Sequence, residues 1–229
     1  MFLGPPGVGK GTYASRVAKH LGVAHIAAGD LVRAEMKSGS AVGESMKATV
    51  DRGELLPDEL VLELVNKRLR DDRARGEMGF ILDGFPRTAA QAEALEVVAP
   101  ISFALNLSLR EDVLVEKCLG RRLCSKCGKN WNVANIYRAA GAGTPEIVMP
   151  PLNPPDECQG FMTVRSDDTE EVVRNRLSVY QAQAGPVEDF YSARGLLVQF
   201  PVTGGIPETM PRLLDVLAKY SRGGEKTTA

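Results

Sequence analysis

The sequence predicts an α/β fold in which helices flank a mostly parallel sheet. Apolar runs typical of buried strands, at 80–82 and 101–107, alternate with segments of helical periodicity. Residues 88–98 carry a helical pattern between those two runs, and a last strand and helix are predicted at 196–200 and 207–220. Such alternation is typical of parallel strands joined by crossover helices.

The start of the chain shows the same alternation. Met1-Phe2-Leu3 resembles the end of a short strand, and a glycine-rich turn follows at once. Apolar residues between positions 14 and 21 then recur at the spacing of one buried helix face, and residues 58–70 repeat that pattern.

Length and charge exclude several classes of protein. The 229 residues are enough for a single domain, 1–229, with an inserted subdomain. The formal net charge of −1 provides no basic field for nucleic acid or an anionic membrane. No apolar run approaches the roughly 20 residues that span a bilayer. We therefore expect a soluble protein whose partners are small molecules.

Two segments depart from the regular pattern. Residues 122–164 contain three cysteines, many prolines and a Gly/Ala-rich piece, and a connection of this length is usually a lid or a binding loop. The polar residues 221–229 are expected to form a disordered tail.

A phosphate-binding loop is predicted between the first strand and the first helix. It has the sequence Gly4-Pro5-Pro6-Gly7-Val8-Gly9-Lys10-Gly11-Thr12. Glycines let successive backbone N–H groups point at phosphate oxygens, and Lys10 adds a positive charge for the β- and γ-phosphates. The general pattern has Ser or Thr directly after the lysine, whereas here Gly11 intervenes and Thr12 comes next.

A second polar cluster follows the strand predicted at 80–82. Asp83 is well placed to hold a water molecule of Mg²⁺. Arg87 can bind a phosphate in bidentate fashion. Gln91, one helical turn later, both donates and accepts, which suits the N6/N1 edge of adenine. This favours AMP over UMP or CMP as a second nucleotide.

Arginines flank the unusual segment. Arg121 precedes it, Arg165 follows it, and Arg176 lies in the next helix. Phosphoryl transfer is catalysed mainly by positioning and charge stabilisation, so converging cations would supply the catalysis without a general base. His25, in an apolar strand, is expected to be structural.

Taken together, these motifs resemble those of the adenylate kinases, a family of nucleoside monophosphate kinases, and they occur in family order over residues 1 to about 217. The runs Gly-Val-Gly-Lys-Gly-Thr-Tyr-Ala-Ser-Arg and Cys-Ser-Lys-Cys-Gly-Lys most resemble the long-lid enzymes of plant organelles. The resemblance implies a P-loop NTPase-like fold, with residues 27–56 as an AMP-binding helical segment and residues 122–164 as a lid over ATP. It also implies reversible phosphoryl transfer from Mg–ATP to AMP, giving two ADP.

The resemblance carries roles to individual positions. The implied catalytic residues are Lys10, Asp83, Arg87, Arg121, Arg165 and Arg176. The implied ATP-binding residues are Gly7, Val8, Gly9, Lys10, Gly11, Thr12, Arg121, Asn130, Trp131 and Ile206. The implied AMP-binding residues are Ala28, Arg33, Glu54, Leu55, Leu56, Gly84, Phe85, Pro86, Arg87, Gln91, Arg165 and Arg176.

Three positions depart from the family pattern. Ala28 replaces a threonine that contacts AMP. Lys117 stands where the family usually has an arginine near the adenine of ATP, and Ile206 replaces a lysine close to that base. The choice between ATP and GTP as donor therefore stays open at the level of sequence.

The cysteines of the lid suggest a metal. Cys124 and Cys127, followed by glycine, have the spacing of half a zinc knuckle, and many lids of the family complete a structural zinc site with a second cysteine pair. Here Cys158 would be the third ligand, and Asp156 or, less plausibly, Cys118 the fourth. The alternative is three reduced thiols. Mg²⁺ is expected with ATP.

Rival functions remain to be separated. One is a GTP-dependent AMP kinase or another nucleoside monophosphate kinase. The others, from different classes, are a non-catalytic nucleotide sensor and a zinc-ribbon module that binds nucleic acid. By resemblance we expect a monomer that acts on ATP, AMP and ADP in a mitochondrion or chloroplast, with the cytoplasm as alternative. Residue 1 already lies in the first strand, so we expect any transit peptide to be absent from this chain.

Overall fold

The computed structural model describes residues 1–51, 56–141 and 143–221, along which helices alternate with strands. The strands are β1 Phe2–Leu3, β2 Ala24–Ala27, β3 Phe80–Asp83, β4 Ala104–Ser108, β5 Arg121–Cys124, β6 Asn130–Asn132, β7 Ile136–Arg138, β8 Ile147–Met149, β9 Met162–Thr163 and β10 Leu197–Pro201. The helices are α1 Lys10–Leu21, α2 Ala28–Lys37, α3 Ala41–Asp51, α4 Asp58–Ala74, α5 Ala89–Val98, α6 Glu111–Leu119, α7 Asp156–Gln159, α8 Glu170–Ser192 and α9 Ile206–Ser221. None of these described helices has the length and apolar character of a transmembrane segment.

Five strands form one sheet in the order β10-β4-β1-β3-β2. Strand β3 pairs in parallel with β1 and β2, and Asp83 lies opposite both Phe2 and Ala27. Strand β1 has β3 on one side and β4 on the other, so the chain order reverses there. In open α/β sheets, ligands bind at the carboxyl ends of the strands beside such a reversal. The predicted α/β fold is confirmed.

One strand starts later than its apolar pattern predicted. Strand β4 begins at Ala104, whereas the apolar run begins at Ile101. Ile101 is nevertheless buried and belongs to the apolar core. The apolar run therefore indicates which residues are buried, and the buried segment extends beyond the residues that pair in the sheet.

The backbone divides into two compact units. The first contains Met1–Leu3, the described residues of Ala14–Leu105, and Gln183–Leu197. Its core is apolar, and the largest fully buried side chains in it are Ile26, Leu82, Phe85, Leu95 and Tyr191. Burial of one such side chain contributes about 1.5–3 kcal/mol to stability. This core holds β3 and α5, and with them the segment 83–91.

The second unit contains Gly4–Tyr13, Asn106–Ala182 and the described residues from 198 onward. Within it, residues 122–164 are more regular than the sequence suggested, because they form two small antiparallel sheets, β6-β5-β9 and β7-β8. The assignment of this segment as a lid stays a prediction. Of the predicted tail, residues 222–229 lie outside the described residues.

Candidate active site

The loop between β1 and α1 requires glycine at three positions. Gly4, Gly7 and Gly9 have positive φ angles of 128°, 86° and 105°. A Cβ on Gly4 would lie 2.4 Å from the carbonyl oxygen of Leu107, and one on Gly7 would lie 2.7 Å from that of Leu114. The loop backbone therefore lies directly against β4 and α6, at a distance that no side chain permits.

Lys10 begins α1, and its side chain lies back along the loop. Its Nζ donates hydrogen bonds to the carbonyl oxygens of Gly4 at 2.6 Å and Pro5 at 2.9 Å. Gly11 and Thr12 follow in the first turn of the helix, where the leading N–H groups have no acceptor inside the helix. A helix N-terminus, a lysine and a glycine-rich loop thus lie together, and this arrangement binds phosphate groups.

A second lysine is directed at the same loop. Lys117, in α6, donates from Nζ to the carbonyl oxygen of Val8 at 3.5 Å. Its own carbonyl oxygen accepts a hydrogen bond from Asn132 Nδ2 at 2.8 Å, which connects α6 to β6. Burial lowers the pKa of Lys117 to about 8. Lys117, one of the three residues that depart from the family pattern, therefore lies at the backbone of the phosphate loop.

Cations from three separate segments act electrostatically on Cys118 in α6. Burial raises the pKa of the Cys118 thiol, and the positive charges of Arg121, Arg176 and Lys10 partly oppose that rise. The sequence analysis singled out Arg121 at the start of the predicted lid, Arg176 in the helix after it and Lys10 in the phosphate loop. All three belong to the second unit.

Both arginines of this set are held by aspartates. Arg121 Nε donates to Asp168 Oδ2 at 2.7 Å, and its Nη2 contacts Oδ1 of the same carboxylate. Arg176 Nη1 donates to Asp167 Oδ2 at 2.7 Å. Burial alone would lower the pKa of Arg121, but the hydrogen bond with Asp168 outweighs it and raises the pKa. Because the Asp168 side chain is fully buried, removing either partner would leave a buried charge unpaired.

The other residues implied for ATP binding are spread over β6 and α9. Arg165 Nη2 donates to Asn130 Oδ1 at 2.8 Å, which joins the end of the lid segment to β6. Trp131 follows in β6, and its buried Nε1 has no hydrogen-bond acceptor among the described residues. Ile206 begins α9 and is partly buried.

In the first unit, Ala28 and Arg33 lie on α2. Ala28 begins the helix and is buried, whereas the Arg33 side chain is 43% exposed and its Nη2 pairs with Asp30 three residues earlier. Exposed ion pairs of this kind contribute only about 0–1 kcal/mol, so Arg33 can exchange Asp30 for a phosphate at little cost.

The remaining residues implied for this helical segment fall at its end. Leu56 is partly buried and precedes α4. Glu54 and Leu55 lie outside the described residues.

Asp83 lies at the carboxyl end of β3 and is 9% exposed. In the sheet it is opposite Phe2, two residues before the phosphate loop begins. His25 of β2 approaches it, with Nε2 3.8 Å from Asp83 Oδ2. A largely buried carboxylate at this edge of the sheet is a suitable ligand for a hard cation or its water.

The segment after Asp83 makes a tight turn. Gly84 has a φ angle of 77°, the Phe85–Pro86 peptide bond is cis, and the Phe85 side chain is buried in the core. Arg87 Nε donates to the carbonyl oxygen of Gly84 at 2.9 Å. The turn is therefore anchored by Phe85 on one side and closed by Arg87 on the other.

Three cysteine sulfurs lie close together in the second unit. The Sγ atoms of Cys124, Cys127 and Cys158 all lie within 4.8 Å of one another, and those of Cys127 and Cys158 are 3.7 Å apart. Burial opposes ionisation of Cys124, but hydrogen bonds from the Cys127 backbone and the Cys158 thiol outweigh it and lower its pKa. Burial first, and then the neighbouring sulfurs, raise the pKa of Cys158 to about 12.

The fourth ligand considered from sequence is not in this group. Among the described residues, the cluster of metal-binding atoms comprises the three cysteines alone. Asp156 accepts a hydrogen bond from Gln159 Nε2 at 2.9 Å within the short helix α7. Cys118 is not in the cluster either.

Sequence reasoning missed two polar residues beside Gln91. Gln91 is 6% exposed, and its Nε2 donates to Asp58 Oδ1 at 2.6 Å. Thr88, the N-cap of α5, accepts from the Gln91 backbone N–H at 3.1 Å and donates to Asp58 Oδ2 at 2.9 Å. The threonine before the helix could have been recognised as a cap. The link to Asp58, 33 residues away, has no signal in the sequence.

Comparison with known proteins gives a consistent result. A statistical model of the family described as "Adenylate kinase" matches residues 2–196. A rice (Oryza sativa subsp. japonica) protein named "Probable adenylate kinase 1, chloroplastic" is 54% identical over 217 residues, which are 95% of this chain and 74% of the relative. "Adenylate kinase" of Solanum tuberosum is 55% identical over 95% of this chain and 75% of its own length. "Adenylate kinase" of Thermodesulfovibrio yellowstonii is 42% identical over 96% of this chain and 98% of its own length.

These matches confirm the resemblance drawn from the motifs. They extend over nearly the whole chain, including both the phosphate loop and the lid segment. The chain belongs to the adenylate kinase family, whose members are phosphotransferases.

Proposed function

We propose that this chain transfers the terminal phosphoryl group of Mg–ATP to AMP, and back between two ADP molecules. The observation that carries the proposal is the glycine-rich loop with Lys10 folded back along it, packed against Cys118 of α6 and followed after that helix by the largely buried Arg121–Asp168 pair. Negative charge shifts among the phosphate oxygens during transfer, and preorganised cations stabilise it. No general base is required.

On the donor side, the loop amides and the N-terminus of α1 bind the phosphates of ATP. Lys10 neutralises the transferring group, and Arg121 and Arg165 act from the two ends of the lid segment. Asp168 fixes the orientation of Arg121 through two contacts, so little reorganisation is needed when charge develops.

On the acceptor side, Arg33 and Arg87 bind the phosphate of AMP, and Gln91 binds its base. The weak hold of Asp30 on Arg33 leaves that guanidinium available to an incoming phosphate. Ala28 has no hydroxyl group and cannot make the contact with AMP that a threonine makes in the family pattern. Binding of AMP therefore depends more on Arg33 and Arg87 than the family pattern implies.

Mg²⁺ accompanies ATP, and Asp83 would hold it through a coordinated water molecule. The ion would neutralise charge on the β- and γ-phosphates. The Asp83 carboxylate fits this role because it is largely buried at the carboxyl end of β3.

Residues 122–164 act as a lid that closes over the donor. Water that reached the γ-phosphate would turn transfer into hydrolysis, so this chemistry needs a cover. A bisubstrate analogue, two adenosines joined by five phosphates, should protect the lid amides from hydrogen exchange. Unchanged exchange in this segment at saturating analogue would contradict the lid assignment.

The three lid cysteines bind a zinc ion, with the fourth ligand unassigned. Thiolates held about 2.3 Å from a tetrahedral zinc are about 3.8 Å apart. The 3.7 Å between the sulfurs of Cys127 and Cys158 fits this spacing.

Metal analysis of the purified protein tests the zinc proposal directly. We expect about one zinc ion per chain, lost in Cys124→Ser and retained in Cys118→Ser, which lies outside the cluster. Protein purified without chelators that contains no zinc would contradict the proposal.

A coupled assay of ADP formation tests the function. ATP and GTP are each offered with AMP, UMP and CMP, and ATP with AMP should have the highest kcat/KM. A preference for GTP would overturn the donor assignment, and a preference for UMP or CMP the acceptor assignment. Nucleotide binding without transfer to any monophosphate would support the sensor alternative.

The relatives also bear on where the reaction takes place. Those named chloroplastic, including the 52% identical "Adenylate kinase 1, chloroplastic" of Arabidopsis thaliana, support a plastid location for this chain. We expect it to act there as a monomer on ATP, AMP and ADP, without nucleic acid. Import of the natural gene product fused to a fluorescent protein would test the location.

A further inference from the structure

Asp58 joins the start of α4 to the start of α5. Its Oδ1 accepts a hydrogen bond from Gln91 Nε2 at 2.6 Å, and its Oδ2 accepts one from Thr88 Oγ1 at 2.9 Å. Thr88 Oγ1 in turn accepts from the Gln91 backbone N–H at 3.1 Å. Both carboxylate oxygens of Asp58 are therefore used to hold one side chain and the cap beside it.

The amide of Gln91 is held at both of its polar atoms. Oε1 accepts from the Arg87 backbone N–H at 2.6 Å, while Nε2 donates to Asp58. A backbone N–H can only donate and a carboxylate can only accept, so oxygen and nitrogen cannot exchange places. The flipped amide would place Oε1 against a carboxylate and NH₂ against an N–H, and both contacts are unfavourable.

Each polar atom of this amide keeps a further hydrogen-bonding position. An amide oxygen accepts two hydrogen bonds and an amide nitrogen donates two, and the described residues use one of each. One donor and one acceptor remain, with their identities fixed. Adenine has an acceptor at N1 and a donor at N6 and matches that pair, whereas a 6-oxopurine has N1–H and O6 and needs the reverse.

We propose that Asp58 is a positioning residue that fixes the Gln91 amide so that the acceptor site takes 6-aminopurine monophosphates and rejects 6-oxopurine monophosphates. The inference rests on the proposed function, in which Gln91 binds the base of AMP. Asp58 acts through Gln91 and need not touch the nucleotide. Sites that pair a polar edge of a substrate discriminate strongly, because the wrong substrate leaves buried groups unpaired.

Asp58→Asn is the most informative variant because it preserves shape and removes the one-way acceptor. An asparagine amide can present its nitrogen to Gln91, which removes one of the two contacts that exclude the flipped Gln91 amide and leaves only the Arg87 N–H to oppose it. We expect the ratio of kcat/KM for AMP to that for IMP to fall by at least about tenfold. Most of the change should be a lower KM for IMP.

Glu59→Gln is the matched control. Glu59 is the next residue of α4, is exposed, and also places a carboxylate in the first turn of the helix. Its substitution removes the same charge from the helix N-terminus but touches no part of the Gln91 contacts. The AMP-to-IMP ratio should stay at the wild-type value. A purely structural role of Asp58 would lower activity on both acceptors equally and leave the ratio unchanged.

A pair of variants at Thr88 covers the case in which Asp58→Asn fails to fold. Thr88→Val removes the hydroxyl that holds Asp58 Oδ2 and should lower the ratio, whereas Thr88→Ser keeps the hydroxyl and should not. An unchanged ratio in folded Asp58→Asn, or in both Thr88 variants, would overturn the inference.

Gln91→Leu separates this inference from the proposed function. If the wild type prefers AMP and Gln91→Leu loses the preference, the proposed base contact stands, and only the Asp58 variants decide the inference. If the wild type does not phosphorylate AMP, the proposed function fails and the inference fails with it.

Discussion

Gly7→Ala should disable the phosphate loop. A non-glycine residue at a φ angle of 86° costs roughly 1–2 kcal/mol of backbone strain. The new Cβ would lie 2.7 Å from the Leu114 carbonyl oxygen and 2.8 Å from Cys118 Sγ, so it must move by about 0.7 Å to reach ordinary contact at 3.4 Å. Forcing such overlap into a packed site costs about 1–3 kcal/mol more. We expect the free energy of unfolding to fall by about 2–5 kcal/mol.

The effect on activity should be larger than the effect on folding suggests. The loop amides must lie within a few tenths of an ångström of the phosphate oxygens, and a displacement near 1 Å can lower rates by about 100-fold. We therefore expect kcat/KM with ATP and AMP to fall by about 100-fold or more. Urea unfolding measures the stability, and the coupled assay measures the activity of the fraction that is folded.

Gly22→Ala is the matched control. Gly22 follows α1 with a φ angle of 67°, but a Cβ there would meet no atom within 4 Å. It should therefore lower stability by only the backbone strain, about 1–2 kcal/mol, with wild-type kcat/KM. The reasoning would be refuted if Gly7→Ala kept kcat/KM within about threefold of the wild type, well short of the loss expected for a displaced loop.

Three further changes test individual residues. Lys10→Met should lower kcat at least about 100-fold with little loss of stability, because the loop remains but its charge is lost. Lys19 is exposed on the same helix, so the control Lys19→Met should keep the wild-type kcat. Coupled assays compare the two variants. Arg87→Ala should raise the KM for AMP far more than that for ATP, as steady-state kinetics with each nucleotide varied will measure, and equal rises would contradict its place on the acceptor. Burial lowers the pKa of Lys117 to about 8 from its ordinary value of 10.5. The unfolded chain therefore binds more protons between these pH values, and the free energy of unfolding should rise with pH there. Urea unfolding of Lys117→Met should lack that rise, and the same dependence of stability on pH in the variant would contradict the reasoning.

The regular parts of the fold could be predicted because their patterns are local. Helix α4 carries a long periodic apolar pattern and strand β3 a continuous apolar run, and both lie where the sequence indicated. The strands of the lid segment could not be found in this way. With two to four residues each, such as Met162–Thr163, they are too short for alternation to be recognised.

The candidate site likewise has parts that could be predicted from local sequence and parts that could not. The phosphate loop was predictable because glycines, a lysine and a helix start are contiguous in the chain. The side chains that contact the loop from other elements could not be predicted, because they are distant in the sequence. Lys117, for example, donates to Val8 across 109 positions. Which aspartate holds Arg121 depends on how β5 meets the turn before α8, and no pattern in the sequence records that.

Incubation of the pure chain with ADP and Mg²⁺ alone tests the central claim most directly. The products are separated by ion-exchange chromatography over time, with Lys10→Met treated in the same way. The proposed reaction predicts that ATP and AMP appear in equal amounts, without inorganic phosphate, and that the variant forms neither at a comparable rate. AMP that accumulates with phosphate and without ATP, or ADP that remains unchanged, would contradict phosphoryl transfer between two nucleotides.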